Sequence, residues 1–190
     1  MWQVDSGQVF WYISRTSGLV AYLVLFINFC LGVGLKTKFL DKALGRWRIF
    51  DLHQFTAMVG GALVILHVLA LLGDSYFHFT WSALLVPLSS PYRPFWTALG
   101  VIGLYGGVAL ALSAWFRRFI GQKIWKIIHY VSYLLFFSIL VHGIKAGTDS
   151  SMLWVQAMYI LTGTSAAFLL LWRFLIYRAE KPLAQVNRPA

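Results

Sequence analysis

Four of the five histidines in this 190-residue chain stand in two apolar stretches at nearly the same spacing. His53 and His67 are fourteen residues apart, and His129 and His142 are thirteen apart. An ionisable residue inside a membrane segment is expensive to keep there, so its default reading is functional. Neutral imidazole is a common axial ligand for haem iron. One histidine from each of two helices makes a six-coordinate haem. Two such pairs on the same two helices hold two haems, one above the other, and form a path for electrons across a bilayer. The competing reading for each histidine is packing or a helix-to-helix hydrogen bond. Four histidines at matched depths on two parallel segments argue against it.

The elements that must position these rings follow from composition. The chain is 59% hydrophobic and 12% charged, with a mean hydropathy of +0.71. A soluble domain of this length cannot hide that much apolar surface, which places the chain in the membrane class. Five segments have about the 20 residues that a hydrocarbon core of roughly 30 Å demands. They are residues 9–35, 50–72, 95–116, 124–146 and 152–177, in one all-α transmembrane domain over residues 1–190. The expected fold is a five-helix bundle holding stacked haems. The single cysteine, Cys30, excludes an internal disulfide and a covalent Cys-x-x-Cys-His haem attachment. It reads as a small core residue.

The net charge of +10 reads as topology rather than nucleic-acid binding, because the charges fall between the apolar segments. Lys36, Lys38, Lys42, Arg46 and Arg48 follow span one. Arg117, Arg118, Lys123 and Lys126 follow span three, and Arg173, Arg178, Lys181 and Arg188 close the chain. Only Arg15, Arg93 and Lys145 fall on the other side. With five spans, this bias predicts the N-terminus outside and the C-terminus in the cytoplasm. The first segment has no basic start and no A-x-A cleavage site, so it reads as a retained helix rather than a signal peptide. The outer linker 73–94 is the longest loop, and its run Phe79–Pro87 can lie in the interface as a lid.

Direction decides the pairing. Spans two and four both run from inside to outside, so His53 pairs with His129 at the inner level and His67 with His142 at the outer level. Fourteen residues rise about 21 Å and thirteen about 20 Å, so the two levels agree. Azimuth is less regular. Steps of about 100° leave His53 and His67 on one face but set His129 and His142 about 140° apart. Span four must twist or tilt, or the haems must be offset around it, or only one haem is bound.

Other residues fit the space between haems. Gly60 and Gly61 lie midway between His53 and His67, where a missing side chain lets a porphyrin or a helix approach. Leu135, Phe136 and Phe137 lie midway along span four, and a ring such as Phe136 between porphyrins shortens the gap for electron transfer. Arg15 is the one charge inside span one. It can meet the propionates of the outer haem or snorkel to the outer headgroups. Arg48, Arg118 and Lys126 are inner-side candidates that topology already explains. His78, in the outer loop, has no partner at matching depth.

At this point the chain resembles the ferric reductase-like transmembrane domain. That domain is shared by ferric reductases, NADPH oxidases and the membrane subunit of the bacterial methionine-sulfoxide reductase system. The resemblance rests on Trp11-Tyr-Ile-Ser-Arg-Thr-Ser-Gly18, on Leu52-His53 through Leu66-His67, and on Trp125-Lys-Ile-Ile-His129-Tyr-Val-Ser-Tyr133 through His142-Gly143. It covers roughly residues 10–177. It implies two haem b groups on the four histidines and electron transfer from the cytoplasmic side to an outer acceptor, namely ferric iron, oxygen or a partner protein. The expected location is a bacterial plasma membrane.

The six-helix version of the family has an extra helix before the Arg15 motif, which this chain starts without. Many members continue into a flavin- and nicotinamide-binding domain. Here no G-x-G-x-x-G turn follows span five. The expected donor is therefore a separate cytoplasmic reductase subunit or a membrane quinol. Two rival readings stay open. One is a non-catalytic relay subunit of a larger, possibly quinol-linked complex, and the other is a haem-free membrane scaffold or small transporter.

Overall fold

In hydrocarbon a backbone N–H or C=O finds no water, so a spanning segment closes its own hydrogen bonds as a helix. The computed structural model describes residues 6–186, with side chains over 7–176. Its elements are α1 (Ser6–Thr37), α2 (Asp41–Leu44), α3 (Arg46–Leu72), α4 (Trp81–Leu85), α5 (Pro94–Trp115), α6 (Arg117–Ala146) and α7 (Leu153–Val186). No strand occurs among the described residues. Five of the helices are long and apolar enough to cross a membrane: α1, α3, α5, α6 and α7.

The helices outrun the apolar stretches that predict them. α3 starts at Arg46 rather than at residue 50, and α7 continues to Val186 rather than ending at 177. Hydropathy marks where hydrocarbon ends, while Lys and Arg are good helix formers that carry the helix on into the headgroups. Among the expected inner-side charges, the side chains of Arg178 and Lys181 are not described, and Arg188 lies outside the described residues. α6 is broken once, at Gly121 (φ 79°, ψ 156°). A left-handed φ of this kind suits glycine. The spanning part of α6 therefore begins after Gly121, close to the expected start at 124.

α1 packs along the length of α3, and α5 along α6. α7 closes on α1 and α6, and α1 also touches α6. The two histidine helices, α3 and α6, are not among the closely packed pairs. They face each other across side chains. The core that holds the rest together is aromatic: Tyr22, Phe29, Phe136 and Tyr159 are all buried where α1, α6 and α7 meet. The Tyr22 hydroxyl is 2.5 Å from Thr162 Oγ1, which satisfies both polar groups in the apolar interior. Large apolar side chains elsewhere face outward, among them Phe55, Leu134, Leu153 and Leu161, as a bilayer-facing surface requires.

The linker between α3 and α5 folds back on the bundle. Thr80 caps α4, its hydroxyl accepting from Ala83 N at 3.3 Å. Phe79, Ala83 and Leu84 are buried against Val68, Leu71 and Leu72 at the C-terminal end of α3. Tyr105 on α5 donates to the Leu85 carbonyl at 2.7 Å. The Phe79–Pro87 run is therefore seated on the C-terminal end of α3 and on α5.

Candidate haem site

Three of the four helix histidines are anchored in the same way. Nδ1 of His53 lies 3.0 Å from the Asn28 carbonyl oxygen. Nδ1 of His67 lies 2.7 Å from the Ser14 carbonyl. Nδ1 of His142 lies 2.8 Å from the Trp96 carbonyl. A carbonyl has no proton to give, so each Nδ1 carries the hydrogen. In a neutral imidazole that leaves Nε2 with its lone pair free. Histidines that ligate metals are usually held like this, with the far ring nitrogen donating to a carbonyl or carboxylate that fixes tautomer and orientation.

His53 and His129 face each other from α3 and α6, with ring centroids 6.1 Å apart and planes at 78°. A metal–nitrogen bond of about 2 Å on either side, plus about 1.1 Å from each nitrogen to its ring centre, gives about 6 Å. The centroid separation is about the length that two imidazoles sharing one metal atom would need. His67 and His142 lie toward the C-terminal ends of the same two helices. Of the two expected pairs, His53 and His129 are in ring contact. The one non-helical residue of α6, Gly121, precedes both of its histidines, so no kink between them takes up their angular offset.

His129 is held differently from the other three. Its ring stacks on Trp125, with centroids 5.1 Å apart and planes at 23°. Arg117 in turn lies over Trp125 at 5.2 Å. Trp125 Nε1 is buried with no hydrogen-bond partner, a donor left over beside the inner pair. Arg48, Arg118 and Lys126 are exposed.

Arg15 has a partner within the chain. Its Nε donates to Asp149 Oδ2 at 2.7 Å, and its Nη2 meets Asp149 Oδ1, a two-pronged pair. Its guanidinium also lies over the Trp11 ring at 3.8 Å. The pair ties α1 to the turn between α6 and α7. Phe136 faces the aromatic core, stacked on Tyr22 at 5.9 Å and in contact with Phe29 at 4.8 Å. Gly60 faces α1, where an added Cβ meets Leu25 at 3.1 Å. A Cβ at Gly61 meets nothing within 4 Å. His78 is exposed in the outer loop with φ 49°.

The sequence reading missed Ser14, Asn28 and Trp96, whose carbonyls do the anchoring, and Asp149. A backbone acceptor has no side-chain signature, and Asp149 is one acid in a loop that names no partner.

A family model, ferric reductase like transmembrane component, matches residues 17–140. The chain belongs to the ferric reductase-like transmembrane family. The match takes in His53, His67 and His129, while Arg15, His142 and Asp149 lie just outside it. No curated protein and no solved structure matches the chain. Membership makes this a membrane electron-transfer component. Members of this family generally bind haem, and the histidine geometry of this chain fits that group.

Proposed function

We propose that this ferric reductase-like chain is a di-haem b cytochrome that carries electrons from the cytoplasmic face to an acceptor on the outer face. His53 with His129 holds the inner haem, and His67 with His142 the outer one. The observation that carries the reading is the shared anchoring of His53, His67 and His142, each with Nδ1 on a carbonyl and Nε2 left as a ligand. Haem iron, when bound, supplies the one-electron chemistry by cycling between ferric and ferrous states. The residues around it do the rest. Asn28, Ser14 and Trp96 hold three ring orientations. The helices exclude water, and the basic linkers favour one orientation in the membrane.

With two histidines to hold each haem, bound iron would keep no open position, so an acceptor would take its electron at the haem edge rather than as an iron ligand. Ferric iron, oxygen or a partner protein are the acceptor classes the family supplies. The donor is a cytoplasmic reductase subunit or a membrane quinol. The deciding experiment is haem stoichiometry on the purified chain, by pyridine haemochrome assay and a reduced-minus-oxidised spectrum. Two haems b per chain with low-spin bands support the reading. One haem restricts it to one side of the membrane, and a folded, haem-supplied preparation without any overturns it.

A further inference from the structure

Each anchoring carbonyl is followed, four residues later on the same helix, by a glycine. Gly18 follows Ser14, Gly32 follows Asn28, and Gly100 follows Trp96. Each of these glycines lies directly against the histidine its carbonyl holds. A Cβ built on Gly18 comes within 2.9 Å of His67 Nδ1. One on Gly32 comes within 3.1 Å of His53 Cε1, and one on Gly100 within 2.6 Å of His142 Cε1.

The reason is helix geometry. The carbonyl of residue i already accepts the N–H of residue i+4. The Cα–Cβ bond of residue i+4 leans back toward the N-terminus and covers the turn before it. A side chain at i+4 therefore screens the second lone pair of carbonyl i from a neighbouring helix. With glycine there, the lone pair is open and an imidazole N–H can reach it. Gly60 and Gly103, by contrast, meet Leu25 and Ile139, which is ordinary helix packing.

We infer that Gly18, Gly32 and Gly100 are positioning residues for the haem ligands, each opening the carbonyl four residues before it to one histidine. This rests on the haem reading above and deepens it. The antiparallel registers bear it out. α1 repeats its carbonyl–glycine unit after fourteen residues, the interval between His53 and His67 on α3. On α5 the register runs Gly100 to His142, Gly103 to Ile139 and Gly106 to Leu135. Continued by thirteen residues from Gly100, it puts Ser113 across from His129. Ser113 is buried, and its hydroxyl donates to the Leu110 carbonyl at 2.8 Å. The fourth position thus lacks the glycine, and His129 is the histidine that stacks on Trp125 instead. The outer level has two carbonyl-seated ligands, and the inner level has His53 seated and His129 stacked.

An imidazole that donates from Nδ1 is a more basic ligand and favours ferric iron. Loss of a seat should raise the potential of the haem it serves. It should also weaken that haem's retention, by about 10- to 100-fold for such an outer partner. The test is a spectroscopically followed redox titration and haem count on the full, haem-loaded chain carrying Gly18→Ala, Gly32→Ala or Gly100→Ala. A His67→Ala chain assigns the inner haem. Gly103→Ala serves as a packing control and Gly107→Ala, where nothing lies within 4 Å, as an open one. Gly32→Ala is expected to move the inner haem alone, and Gly18→Ala and Gly100→Ala the outer haem alone. Gly18→Ala and Gly100→Ala report on the same haem from opposite ligands, so the outer test survives if either chain fails to fold.

Unchanged potentials and haem content in all the seat variants overturn the inference while leaving the haem reading intact. So does an equal shift of both haems that matches Gly103→Ala. A parent chain that takes up no haem overturns the haem reading, and the inference falls with it.

Discussion

Asn28 and His53 hold each other at both ends. The Asn28 carbonyl takes the Nδ1 proton of His53 at 3.0 Å, while Asn28 Nδ2 donates to the His53 carbonyl at 2.6 Å. The same amide donates to Thr56 Oγ1 at 2.9 Å. A polar side chain in hydrocarbon needs such partners, and here they lock His53, the ligand proposed for the inner haem. Asn28→Ala keeps the carbonyl but releases the second grip. The expected result is selective loosening of the inner haem, with retention about 10- to 100-fold weaker and the outer haem undisturbed. Haem counts and redox titration of the purified variant check it. Equal loss of both haems would assign Asn28 to general helix packing.

The ligand pairing makes its own forecast. His67→Ala should leave one haem per chain with the inner haem's potential, and His53→Ala should leave the outer one. The measurement is the pyridine haemochrome ratio in each single variant. Retention of two haems after His67→Ala removes that histidine from the ligand set. Loss of both after either change means that the two levels assemble together.

The five spans and their order were readable because hydropathy is a one-dimensional signal. The carbonyls of Asn28, Ser14 and Trp96 that meet the rings are groups every residue has, so no letter marks them, although the Asn28 amide and the Ser14 hydroxyl, 3.2 Å from His67 Nδ1, add contacts that depend on residue type. Gly18 and Gly32 were readable in principle: they repeat the fourteen-residue interval of His53 and His67. Gly60 and Gly61 drew attention because they sit between histidines on the same helix, whereas the histidines rest on glycines of the neighbouring helices. The angular offset of His129 from His142 implies a twist or tilt of span four, offset haems or a single haem, and the described α6 has no kink between the two residues.

Phe136 separates packing from electron bridging. Its side chain is 5% exposed within a core of Tyr22, Phe26 and Phe29. Phe136→Ala should open a cavity and destabilise the bundle by about 3–5 kcal/mol. Thermal unfolding in detergent should show the loss, while inter-haem electron transfer after flash reduction should keep its rate in the folded fraction. A rate that falls without a change in stability would instead place the ring between the haems.

Arg15 and Asp149 pose the last test, because one arginine has two candidate anions. Their side chains are 21% and 11% exposed, so the pair is largely withdrawn from solvent. Removing one member of such a pair leaves the other uncompensated, and that cost exceeds the net worth of the pair. Arg15→Ala and Asp149→Asn should therefore each lower the melting temperature. The double variant should be more stable than the two losses together imply, by an interaction term of about 0.5–3 kcal/mol. A thermal double-mutant cycle on the haem-loaded chain measures it. The redox titration of the same four chains locates the arginine's charge. If Asp149 is its partner, the outer haem's potential should respond alike to both single changes, since both disturb the same tie between α1 and the α6–α7 turn. If the potential moves with Arg15→Ala and is untouched by Asp149→Asn, with no coupling in stability, the guanidinium serves the outer propionates directly.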